Sequence, residues 1–455
     1  MKHTSPHDDS NVSRRSALKG IAAAAGLVTV PGALAACSSS SSTSSTSSPG
    51  SSSSSSSGGG SGAGGSISFG SNQSDPAPKQ AFAALVSNAQ SSTGVKIAVN
   101  TVDHNTFQQD ITSYLQGTPN DLATWFAGYR MQYFAQQGLL EPIDDVWNTI
   151  GNNFGDAVKS LCKGADGHYY FVPLYNYPWV VVYNKSTFTQ KGYTVPTTWD
   201  ELITLAKKMQ KDGLIPFAFA DKDLWPALGM FDILNMRING YDYHISLMHN
   251  QAKYSDPQVT AVFDHWRELM PYLQSGAAGR IWEDGAKTLE AKQAGMVFQG
   301  ASQIGSQYVA DNKSLDDLDF FHYPAINPTY GTDYMDAPMD GFILPAKAKN
   351  KDAAKKVLEY IGTGQAEAAY LADDKWNVGV ASGLSVPTYS SVQIKSAQLI
   401  ASQKNVAQFG DRDTAPPVAT ALEAAILQFI ASPTASTVKT IQSSMASQAK
   451  AIFGS

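Results

Sequence analysis

DGHYYFVPLYNYPWVVVYNK, residues Asp166–Lys185, is the stretch around which the rest of the chain is arranged. Pro173 and Pro178 bracket a turn, and each drives the residue before it, Val172 and Tyr177, into extended backbone. The β-branched run Val180-Val181-Val182 reads as a strand. Tyr175, Tyr177, Trp179 and Tyr183 crowd aromatic rings into the same short space. The segment therefore reads as extended chain that leaves one compact unit, crosses a gap and starts another. A crossing lined with rings is suited to holding a small molecule.

A chain of 455 residues suffices for two domains with sizeable cores. An apolar share of 43% and a charged share of 16% exclude fibrous and wholly disordered classes. The formal net charge is -6, and no Lys/Arg block is present, so nucleic acid is not an expected partner. The two cysteines, Cys37 and Cys162, lie too differently placed to suggest a stabilising bridge. Cys162 reads as a small buried hydrophobe.

Ser13-Arg14-Arg15-Ser16-Ala17-Leu18-Lys19 resembles the twin-arginine export signal, with Ala17 where a Phe is preferred. An Ala/Gly-rich run from Gly20 to about Ala33 is too short and too weakly apolar to span a membrane. Leu34-Ala35-Ala36-Cys37 then matches the bacterial lipobox, which implies cleavage after residue 36 and a diacylglycerol on Cys37. Residues 37–65 read as the lipidated Cys and a Ser/Gly tether that buries nothing. Its coil span is on the order of 30 Å. The expected location is the outer face of the cytoplasmic membrane.

The body alternates strand and helix. Ile67–Gly70, Val95–Val102 and Asp121–Phe126 read as strands, with helices over Pro76–Gln90 and Thr106–Gln116 between them. Thr198 and Glu201 have capping-box spacing at the start of a later helix. Ile215–Ala220, Gly295–Phe298 and Met339–Leu344 read as further strands, and Lys351–Ile361 as an amphipathic helix. This pattern is α/β, and ligands of such sheets sit at the carboxyl ends of strands.

From Ile143 to Asp212 the chain resembles the carbohydrate-binding branch of the extracellular solute-binding proteins of bacterial ABC importers, related to maltose-binding protein. The matching blocks are DGHYYFVP, VVVYNKSTF and VPTTWDELITLAKKMQKDG, followed later by KQAGMVFQGAS and DGFILPAKAKNKDAAKKVLEYI. The resemblance implies a two-lobed periplasmic-binding-protein-like fold, each lobe a mostly parallel sheet flanked by helices, with a hinge between them. It places residues 66–176 and 335–376 in lobe 1, and 177–334 and 377–455 in lobe 2. It also implies a carbohydrate ligand between the lobes, ABC permease subunits as partners, a monomer, and no enzymatic activity or cofactor. The same fold holding a non-sugar solute (an organic acid or a polyamine) and a tethered carbohydrate-active hydrolase remain as alternatives.

Sugar rings need flat aromatics for their faces and planar polar groups for paired hydroxyls. The candidates on predicted cleft loops are Asp103, His104, Tyr129, Arg130, Tyr177, Trp179, Asp223, Trp225, Trp282, Glu283, Gln299, Asp340 and Trp376. No dinucleotide fingerprint, phosphate-binding loop, nucleophile elbow or metal-ligand spacing is present in the sequence.

Overall fold

The computed structural model describes residues 65–382 and 389–454. The leader, the lipobox and all of the tether but Gly65 lie outside these residues. The first sheet begins with β1 (Ser66–Ser71), β2 (Lys96–Thr101), β3 (Leu122–Phe126) and β4 (Phe171–Asn176). A second sheet follows from β5 (Trp179–Asn184), β6 (Ile215–Ala218), β7 (Ala294–Gly300) and β8 (Leu318–Phe321), in the order β6-β7-β5-β8. After β9 (Tyr334–Asp336) the chain returns as β10 (Met339–Ile343) and β11 (Val378–Gly379), which complete the first sheet as β11-β4-β10-β3-β1-β2. β12 (Asn405–Ala407) pairs in parallel with β9 outside both sheets.

The opening stretch thus splits between the sheets, and only Tyr177 and Pro178 separate β4 from β5. The valines explain why β5 is central. Val180 and Val182 face one apolar cluster, while Val181 and Tyr183 face the other, as the two-residue side-chain period of a strand requires.

Neither sheet is mostly parallel, contrary to the sequence-based expectation. β1 runs parallel to β2 and β3, and β6 parallel to β7. However, β10 is antiparallel to β3 and β4, and β5 is antiparallel to β7 and β8. The reason lies in the crossings. β5 enters its sheet directly from β4 of the other sheet, and β10 enters from β9, which belongs to neither, so the direction of entry at each crossing orients the strand.

Local signals hold where they were specific. The helix Trp199–Lys211 opens on the capping box of Thr198 and Glu201. The helix Pro76–Thr93 carries its proline in the first turn, where no N–H is missed. Trp282, read as a loop residue, instead begins the helix Trp282–Glu290. Cys162 is fully buried and unbridged, and burial pushes its thiol well above the ordinary range.

Candidate functional site

The site is built on the two crossings between the sheets. β10 shifts register against β4 between Asp340 and Gly341, a bulge that re-aims the side chain beside it. Asp340 stands opposite Tyr175, and its Oδ2 accepts from the Tyr175 hydroxyl at 3.1 Å. Its Oδ1 accepts from Arg412 Nη1 at 2.6 Å. Arg412 Nη2 donates to the Tyr177 hydroxyl at 3.2 Å, and the guanidinium lies 3.7 Å from the centre of the Phe126 ring. Burial alone would lower the Arg412 pKa, but Asp340 first, then Tyr177 and Asp411, hold it above its ordinary value. Arg412 is therefore a fixed cation inside the protein.

Its loop is held on both sides. Gly410 N–H donates to Asp232 Oδ2 at 2.8 Å, and a β-carbon at Gly410 would meet that carboxylate at 2.6 Å. Arg130 donates its backbone N–H to the Arg412 carbonyl at 2.8 Å and its Nη1 to Asp411 Oδ2 at 2.9 Å.

Two adjoining cavities open above this floor, with about 470 Å³ and 290 Å³ of space free of protein atoms. His104, Tyr177 and Gln303 line both. One wall is aromatic. Trp179 stacks on Phe409 at 4.4 Å between centroids, and Trp225 meets Trp179 edge-on at 6.2 Å. The Trp179 indole N–H has no hydrogen-bond partner although it is buried. Asp411 Oδ1 and Arg412 Nε are also without hydrogen bonds and face each other at 3.8 Å. Such unspent donors and acceptors are costly unless a ligand or water meets them. His104 contacts Gln108 through Nε2 at 2.7 Å. Burial, and then the Arg412 charge, lower its pKa to about 4, so the imidazole is neutral near pH 7.

Of the sequence-predicted residues, His104, Tyr177, Trp179, Trp225, Trp282 and Asp340 line these cavities. Arg130, Asp223 and again Trp225 line a separate outer pocket. The other five are placed elsewhere. Asp103 is an exposed helix cap that accepts from Thr106 N at 3.0 Å. Tyr129 packs on His249 at 5.0 Å. Glu283 lies half-buried outside the cavities, its pKa raised to about 7 by burial and then by Asp75, Asp223 and Asp284. Gln299 is buried in the middle of the second sheet, beside Val180. Trp376 is buried against Gly305 of the helix Ala301–Ala310. Asp103 thus serves a cap, Gln299 and Trp376 serve the core, Tyr129 packs at the edge of the core, and Glu283 is partly exposed on the first turn of its helix.

Arg412, Asp411, Phe409 and Gln303 were missed. A signal did exist in Phe409-Gly410-Asp411-Arg412-Asp413, where a glycine precedes three alternating charges just before Pro416-Pro417. Among the described residues, no group of three or more His, Cys, Asp or Glu side chains is disposed to hold a metal ion. Nor is any helix among them long and apolar enough to cross a membrane.

Comparison with known proteins agrees with this architecture. The family profile of bacterial extracellular solute-binding proteins matches residues 73–368. The solved structure of the bacterial solute receptor AcbH superposes with a TM-score of 0.84 at 64% identity, covering 86% of this chain and 99% of that one. AcbH is described as having an exclusive substrate preference for β-D-galactopyranose. An uncharacterized ABC transporter extracellular-binding protein of Pyrococcus horikoshii is 29% identical over 257 residues, 56% of this chain and 56% of that protein. The α-glucosides-binding periplasmic protein AglE of Rhizobium meliloti is 23% identical over 347 residues, 71% of this chain and 74% of that protein.

Proposed function

This chain belongs to the bacterial extracellular solute-binding proteins, and on that footing we propose that it captures a carbohydrate between two lobes and delivers it to the transmembrane subunits of an ABC importer. The observation that carries the reading is the Trp179–Phe409 stack beside an unspent indole N–H and the Asp411–Arg412 pair. Stacked rings suit the apolar face of a pyranose, and fixed polar groups suit its hydroxyl edge. β-D-Galactopyranose is the first candidate, given the preference described for AcbH. An organic acid is disfavoured, because Arg412 is already matched by Asp340 and Asp411 and offers no net positive charge.

The lobes are proposed as residues 66–176 with 335–379, and 177–334 with the remainder. We set the return crossing after β11 rather than at Trp376, a choice supported by the pairing of β11 with β4. Capture proceeds by hinge closure about the Tyr177–Pro178 crossing. The chain works as a monomer without catalysis, held to the membrane through a lipid on Cys37. Mass spectrometry of the mature N-terminus tests that anchor, and an unmodified Cys37 overturns it.

Titration calorimetry and thermal unfolding of the full chain against D-galactose, D-glucose, disaccharides, organic acids and polyamines test the sugar reading. Binding of a hexose supports it. Binding of an acid or amine with no response to any sugar overturns it, and turnover of a chromogenic galactoside overturns the non-catalytic part.

A further inference from the structure

Asn105 joins the two sheets at the mouth of the cleft. It lies in the first turn of the helix His104–Gln116, directly after β2 of the first sheet. Across from it, Asp221–Trp225 follows β6 of the second sheet and leads into the helix Pro226–Asn239. Asn105 Nδ2 donates to Asp223 Oδ1 at 3.1 Å, and the Trp225 indole N–H donates to Asn105 Oδ1 at 3.2 Å. Both halves of one amide are thus spent on the opposite side. Asp223 is anchored in turn, since its Oδ2 accepts the Trp282 backbone N–H at 2.8 Å.

The loop holding these partners is strained. Leu224, between Asp223 and Trp225, has φ +70°, a left-handed conformation that a branched side chain rarely adopts. Backbone held this way persists only where its surroundings enforce it, and such positions concentrate at ligand clamps.

The same bridge partitions space. Trp225 and Gln108 line both the 290 Å³ inner cavity and an outer pocket of about 840 Å³. Asn105 and Asp223 line only the outer one. The outer pocket has mixed walls, polar at Gln109, Thr420 and Glu423 and apolar at Ile111, Pro416 and Ala419.

We infer that Asn105, Asp223 and Trp225 form a latch that both fastens the closed lobes and ends the sugar site, limiting it to a single pyranose ring. The inference rests on the sugar reading. A second ring would have to pass where the amide now stands, so the bridge must break before the outer pocket can receive it. Asp223 then acts as the latch's anchor rather than as a sugar contact.

The full chain is titrated with D-galactose and with 1→3-, 1→4- and 1→6-linked galactobioses. The wild type is expected to favour the monosaccharide over every galactobiose. Asn105→Ala removes two hydrogen bonds, so galactose affinity falls roughly tenfold or more while the preference over at least one galactobiose shrinks by a similar factor. Trp225→Phe keeps one aromatic ring, removes the indole donor together with the pyrrole half of the ring system, and gives a smaller shift in the same direction. An unchanged preference in both variants overturns the latch, as does a wild type that takes a galactobiose as well as galactose. If the wild type takes no sugar, the sugar reading fails separately. The latch is then judged by small-angle scattering, where Asn105→Ala must enlarge the radius of gyration and equal radii overturn it.

Discussion

A guanidinium packed on the Phe126 ring between Asp340 and Tyr177 is expensive to bury and more expensive to break. Arg412→Ala leaves Asp340 buried without its cation, so stability is expected to fall by about 3–5 kcal/mol in chemical denaturation. Arg412→Lys is expected to recover little, because one ammonium cannot reproduce the planar fork that reaches both Asp340 and Tyr177. Full recovery by Lys would mean that charge alone matters there. His104 gives a prediction of opposite character. Its folded pKa of about 4 lies below the ordinary 6.5, so the unfolded chain binds the extra proton first. The stability it contributes is present above about pH 6.5 and is lost as pH falls toward 4. His104→Gln should make unfolding free energy less steep over that range, and an unchanged slope would refute the assignment. At this scale the sequence was half legible. Rings near the crossing could be found because two prolines mark it. Arg412 could not, because its partners stand at positions 177 and 340 and only the folded chain unites them.

Elements were read more securely than their pairings. The valines of β5, the capping box at Thr198 and the proline start at Pro76 are local signals, and local physics sets them. Strand direction depends on how the chain re-enters a sheet, which no local pattern records, and so the antiparallel β5 and β10 went unread. Trp376 shows the same limit. It follows a loop-like stretch, yet its indole fills the space beside Gly305 on the helix Ala301–Ala310. A β-carbon at Gly305 would come within 1.9 Å of that indole. Gly305→Ala is therefore expected to lose about 1–3 kcal/mol despite alanine's better helix propensity. A raised melting temperature in this variant would show that the indole moves aside freely.

For the whole molecule, binding and stability are one quantity. A ligand that meets only the folded, closed chain at a hundred times its Kd adds about 2.7 kcal/mol to unfolding free energy. Closure also gathers charge, since Asp75 on the first-sheet side comes near Asp223 and Glu283 on the second. Glu283, faced by Asp75, Asp223 and Asp284, has its pKa raised from 4.5 to about 7, chiefly by burial. Its proton therefore favours the folded form. That contribution is present below about pH 4.5 and is lost as pH rises through about 7. Glu283→Gln should flatten this part of the stability profile between pH 5 and 8, and a profile as steep as the wild type's would remove Glu283 from it. The stacked wall of the cavity has an optical consequence. Trp179 and Trp225 lie 6.2 Å apart, and the first has an unpaired indole N–H. A solute seated against them alters the polarity around two emitters together. The protein then reports its own filling through intrinsic fluorescence, and capture and release rates become readable by stopped flow without any label.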